Sequence, residues 1–150
     1  MARFADAEAV LREGVAIDEK YATWKRSQRQ QILASTLARQ ARDDEALEHY
    51  RRGLEFARLD MDESDNGITI ARYFLADHLV KMQRYEEVLA LLPKSLAKDA
   101  FAGLIYFQRA RSLAGLGRTA DARKEATQAL AASRSEEQRA NLRKQLAGLV

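Results

Sequence analysis

An all-α fold of paired antiparallel helices is what this sequence predicts, and three observations predict it. The chain is poor in helix breakers, with one Pro and seven Gly in 150 residues. Its abundant Ala, Leu, Glu, Arg and Gln favour helix almost throughout. Three stretches share one pattern: "ARQARDDEALEHYRRGL" from Ala38, "HLVKMQRYEEVLALLPKSL" from His78 and "LAGLGRTADARKEATQAL" from Leu113. Gln83 falls where Gly117 falls and Val88 where Ala122 falls, each pair 34 residues apart. Upstream, Ala46 takes the place of Val88 at a spacing of 42. The eight extra residues fall in the polar stretch "RLDMDESDNG", where an insertion costs little.

Taken in order, the elements follow from apolar spacing. "FADAEAVLREGVAID" (4–18) places Phe4, Ala7, Leu11 and Gly14 on one helical face and reads as the second half of a repeat, over 4–19. Full repeats follow at 27–60, 69–102 and 103–134, each two helices around a short turn ("ARD", "MQR", "LGR"). Small residues (Ala34, Ala46, Ala76, Ala110, Ala122, Ala129) let paired helices approach; Leu37, Tyr50, Leu79, Leu92 and Leu113 fill the space between pairs. One pair cannot cover its own apolar face, so pairs must stack. Pro93 lies inside the second helix of the middle repeat and predicts a kink or an early end near Leu92. After Leu130, Ser135 with Gln138 makes a capping-box start, and Leu142, Leu146 and Val150 form a stripe. This predicts a capping helix over 135–150, for about eight helices in a single domain, 1–150.

The register, with Leu33, Ala34, Ala46 and Tyr50, then Leu75, Ala76, Tyr85 and Leu92, then Tyr106, Ala110, Gly117, Ala122 and Ala129, resembles the tetratricopeptide repeat family. Val88 replaces a small residue of the pattern, Asp43 and Thr119 replace its turn tyrosine, and the proline expected at repeat ends is missing. The resemblance implies repeats stacked as a right-handed superhelix, in a small stand-alone protein of bacterial type. It also implies a concave groove lined by first helices, in which a partner lies. The positions carried across are Gln28, Gln31, Ser35 and Arg39; then Ile70, Tyr73, Asp77, Val80 and Lys81; then Leu104, Phe107, Arg111 and Ala114. Trp24, one turn before Gln28, extends the row. Tyr73, Phe107 and Trp24 would anchor an apolar side chain, and Arg39, Lys81 and Arg111 would orient acidic groups against the single Asp77. Some family members clamp acidic chaperone tails with Lys and Asn; Gln31, Ser35 and Leu104 stand in those places here, so that clamp is absent.

The chemistry of other classes is missing from the pattern. No cysteine is present, which excludes disulfides and thiolate metal sites. His49 and His78 have no second ligand at helical spacing, and the pairs Asp43/Asp44 and Glu86/Glu87 complement helix starts. Asp62, Ser64, Asn66 and Gly67 open like a calcium loop, but its closing Glu would fall at Tyr73. No catalytic, metal or cofactor site is therefore expected. Asp6, Glu8 and Glu13 stand where a secretory signal needs an apolar run, and no segment approaches 18 uninterrupted apolar residues, so a cytoplasmic location without a membrane partner is expected.

The leading functional expectation is a non-enzymatic adaptor or scaffold binding another protein's helix or extended segment. The alternatives are a homodimer or larger assembly formed by the repeats or through Leu142, Leu146 and Val150, and a toxin-inhibiting immunity-type protein. A weaker alternative is nucleic acid on the Lys20–Arg42 helix. That stretch carries six basic residues (Lys20, Lys25, Arg26, Arg29, Arg39, Arg42) and no acid.

Overall fold

A computed structural model describes residues 2–61, 66–94 and 101–149. All the regular structure among them is helical, as expected: α1 (Ala2–Lys20), α2 (Arg26–Ala38), α3 (Asp43–Asp60), α4 (Asn66–Lys81), α5 (Tyr85–Leu91), α6 (Ala102–Gly115), α7 (Thr119–Ala131) and α8 (Glu136–Gln145). The chain divides into two compact units, 1–75 and 76–150, with the boundary inside α4. Asp62 and Ser64, which open the rejected calcium loop, and Val150 of the terminal stripe lie outside the described residues.

The repeat is visible in the backbone. Each turn joining a helix pair carries one residue in the left-handed region: Ala41 (φ 58°), Gln83 (φ 59°) and Gly117 (φ 73°). Each is closed by the same two hydrogen bonds. The left-handed residue's N–H donates three residues back, to the carbonyls of Ala38, Val80 and Ala114 at 3.0–3.1 Å. The next N–H, of Arg42, Arg84 or Arg118, donates five residues back, to Leu37, Leu79 or Leu113 at 2.8–3.1 Å. These bonds satisfy carbonyls that the helix end leaves open. The same arginine then reaches the first turn of the next helix, pairing with Glu45, Glu87 and Asp121.

In the first unit, α2 and α3 form an antiparallel hairpin, with Arg26 at the start of α2 bound to Asp60 at the end of α3. Leu33, Ala34, Leu37, Ala46, Leu47, Tyr50, Leu54 and Ala57 are buried. Each large side chain removed from water contributes about 1.5–3 kcal/mol. The seam between α1 and this hairpin is mostly ionic. Glu8 takes Arg42 at 2.6 Å, Arg12 meets Glu45 at 3.4 Å, Asp18 takes Arg29, and Glu19 takes Arg52 at 2.7 Å. Of the face expected to pack, Leu11 is half-buried and Ala7 is exposed. The room a side chain at Gly14 would need is filled by the Arg29 chain.

The expected basic helix is not one helix. A turn at 21–25, with Ala22 left-handed (φ 48°), separates α1 from α2. Arg26, Arg29 and Arg42 are spent on Asp60, Asp18, Glu8 and Glu45. Half of the six basic residues in this stretch are therefore neutralised within their own unit.

In the second unit, α6 and α7 pair antiparallel, and α5 packs on α6 through Tyr85. A side-chain carbon at Gly115 would come too close to the Tyr85 ring for contact. Gly115→Ala is expected to destabilise this unit by about 1–3 kcal/mol, because the ring cannot move without opening the α5–α6 contact; a urea denaturation curve measures it. α5 stops at Leu91, as Pro93 predicts, and Arg109 donates to the Leu92 carbonyl at 3.2 Å. α8 begins at the predicted cap, where the Ser135 hydroxyl accepts from the Gln138 N–H at 3.1 Å.

Candidate functional site

The structure sorts the expected groove residues into two groups, one in each unit. In the first unit, Gln28, Gln31, Ser35 and Arg39 of α2 and Ile70 of α4 line one cavity of about 410 Å³, completed by Ile32, Thr36 and Phe74. The apolar walls are open to solvent: Ile32 is 47% exposed and Phe74 41%. Polar groups ring them. The Gln31 amide donates to the Ser27 hydroxyl at 3.1 Å, and the Thr36 hydroxyl donates to the Ile32 carbonyl at 3.0 Å. Arg39 forms no ion pair within 4 Å among the described residues; its guanidinium lies 5.2 Å from the centre of the Phe4 ring. A cation held on an aromatic face beside exposed apolar walls suits a segment carrying both a bulky side chain and a carboxylate.

The sequence reading missed Ile32, Thr36 and Phe74. Their signal was helical spacing: Ile70 and Phe74 are four apart on α4, as are Gln28 and Ile32 on α2. Tyr73, chosen in place of Phe74, is half-buried with its ring edge against Phe74, centroids 5.5 Å apart, and does not line the cavity. Trp24 is corrected outright. It lies in the turn before α2, 72% exposed, and not on the α2 face that lines the cavity.

In the second unit, Val80, Lys81, Arg111 and Ala114 come together around a second cavity, of about 590 Å³. Its other side is the chain's own C-terminal segment, Gln145 to Leu149. The charges expected to meet acidic groups are already engaged. Asp77 accepts from Arg111 Nη1 at 2.9 Å and Gln108 Nε2 at 3.0 Å through Oδ1, and from Lys81 Nζ at 2.7 Å through Oδ2. Burial pushes the Asp77 carboxyl up, but the hydrogen bonds from Lys81, Gln108 and Arg111 and the charge of Lys81 outweigh it and hold it below the ordinary carboxylate value. The carboxylate is thus charged at neutral pH and neutralises its neighbours.

Phe107 is a further correction. It is buried in a cluster with Ala110, Ala126, Ala129, Leu142 and Leu146, and so belongs to the core rather than to a groove wall. Leu104 is half-buried and lines neither cavity. The same cluster removes the C-terminal dimer surface expected from the Leu142 and Leu146 stripe, since both are spent covering Phe107.

His49 sits at the α1–hairpin seam, its Nδ1 2.6 Å from Gln30 Oε1, while Gln30 donates on to Glu19 at 2.5 Å. Burial first, then the charges of Arg12 and Arg52, lower its pKa from the ordinary 6.5. The unfolded chain therefore takes up this proton at higher pH than the folded one. The stabilisation is complete above about 6.5 and is lost as pH falls from there through the lower folded value. His49→Gln is expected to flatten the pH dependence of the urea midpoint in this window, compared directly with wild type.

No family model matches this chain, and no curated protein or solved structure matches it.

Proposed function

We propose that this chain is a non-enzymatic interaction module of tetratricopeptide-like repeats that binds a helix or extended segment of another protein in the α2–α4 cavity. The observation that carries the reading is a cavity of about 410 Å³ whose walls include the exposed Ile32 and Phe74 beside Arg39, a cation with no acid partner within 4 Å among the described residues. The three matched turns support the repeat assignment, and a cytoplasmic adaptor is the setting this reading suits. The segment bound would carry a bulky apolar side chain near an acidic residue, with the amides of Gln28 and Gln31 available to its backbone.

Selection from a displayed peptide library on the immobilised protein tests this. Wild type is expected to enrich peptides that pair an aromatic or branched residue with Asp or Glu. An Ile32→Ser/Phe74→Ser variant, whose substitutions fall on partly exposed side chains, is expected to retain none of them while still giving a cooperative melting transition well above the binding temperature. Enrichment of the same peptides by both proteins would place binding elsewhere.

A further inference from the structure

α1 is held to the α2–α3 hairpin by a different kind of contact from the one that holds the hairpin together. The hairpin buries Leu33, Leu37, Leu47 and Leu54. On α1, Asp18 is the only buried residue among those described, while Leu11 and Val15 are half-buried. Four ion pairs of the described residues cross the seam: Glu8–Arg42, Arg12–Glu45, Asp18–Arg29 and Glu19–Arg52. Their arginine side chains are 35%, 43%, 32% and 53% exposed in that order, so water and salt reach every pair. The amides of Gln30 and Gln40 add hydrogen bonds to Glu19 and Glu8 at 2.5 and 3.3 Å. Partly exposed pairs of this kind are individually weak and are screened by dissolved ions.

The turn that follows α1 is free to pivot. Tyr21, Ala22, Trp24 and Lys25 are all exposed, so the backbone can swing there without opening the core. The other end of α1 touches the candidate site. The Phe4 ring lies 5.2 Å from the guanidinium of Arg39, the cation that lines the α2–α4 cavity. An arginine on an aromatic face is held in place by the ring's quadrupole. Arg39 is itself exposed and makes no ion pair within 4 Å among the described residues, so this ring is the contact that orients it.

We propose that α1 is a releasable strap, docked on the hairpin mainly by charge, which pivots at 21–25 and sets the Arg39 guanidinium at the cavity through Phe4. Raised ionic strength, or a competing charged surface, undocks α1 as a unit and leaves the hairpin folded. That the placement of Arg39 serves a bound segment rests on the binding reading above; the docking and its hold on Arg39 do not.

Amide hydrogen exchange on the isotope-labelled full chain, followed by nuclear magnetic resonance, tests this without any ligand. A lone helix of this length is marginal in water, so α1 amides lose protection once the helix undocks. From about 20 mM to about 500 mM sodium chloride, exchange within α1 is expected to quicken on the order of tenfold, against less than about twofold within α3. Glu8→Gln/Glu19→Gln is expected to give the fast α1 exchange already at low salt, with α3 still protected. The Arg39 Nε proton, shielded by the Phe4 ring, is expected to move downfield in that variant and in Phe4→Leu, which keeps α1 docked. Exchange in α1 as insensitive to salt as that in α3 overturns the strap. An Arg39 signal that stays in place when α1 is released overturns its hold on the cavity. A peptide selection that enriches nothing moves neither signal, so the binding reading and this one fail separately.

Discussion

Phe107→Ala is expected to destabilise the second unit by about 3–5 kcal/mol, the range for emptying a large aromatic site in a packed core. The ring is 3% exposed and is enclosed by Ala110 on its own helix, Ala126 and Ala129 on α7, and Leu142 and Leu146 at α8. Three of its neighbours are alanines, whose side chains cannot extend into the space. The substitution also removes the surface on which α8 closes, so that helix should fray with the core. Phe74→Ala, by contrast, trims a side chain 41% exposed and is expected to cost less than about 1 kcal/mol. Urea denaturation followed by circular dichroism separates the two. Equal small losses would return Phe107 to a surface role.

The second large effect is expected at Arg109. Its guanidinium is buried against Glu125, with Nε and Nη2 at 2.9 and 2.8 Å from Oε1, while Nη1 donates to the Leu92 carbonyl where α5 stops before Pro93. Glu125 Oε2 is buried without a hydrogen-bond partner. Arg109→Leu therefore strands a carboxylate and opens a helix-end carbonyl, and should cost about 3–5 kcal/mol. Replacing both partners, as Arg109→Met with Glu125→Leu, should recover most of that loss, because no unpaired charge then remains. A double variant as unstable as the single one would show that the shape of the pair, not its charge, sustains the site.

Much of the architecture was legible because it rests on local rules. The spacing of Ala34, Ala76, Ala110 and their partners marked where helices touch, and these residues are buried. Pro93 marked the end of α5, and Ser135 with Gln138 the start of α8. The turns were legible only through register: Gly117 accepts a left-handed backbone readily, whereas Ala41 and Gln83 adopt it against their own preference. The turn at 21–25 was missed, and the basic stretch taken as one helix, because no glycine or proline interrupts 20–26 and Lys25 makes no side-chain cap.

The candidate site was less legible, for a physical reason. Helical spacing tells which residues share a face, but not whether a later helix covers it. That placed Phe107 on a groove that α8 closes, and chose Tyr73 over its neighbour Phe74. Pairing raises the same difficulty for charge. Lys81 stands four residues from Asp77, a visible pair, but Arg111 reaches the same carboxylate from 34 residues away. Among the described residues, only Arg39 of the three expected cations lines an open cavity without an acid partner.

The measurement that tests the central claim most directly is calorimetric titration of one enriched peptide into wild type, Phe74→Ser and Arg39→Gln, with melting curves on all three. Binding through the α2–α4 cavity predicts at least about tenfold weaker affinity for each variant, with each still folded at the titration temperature. Equal affinity in all three proteins would contradict it.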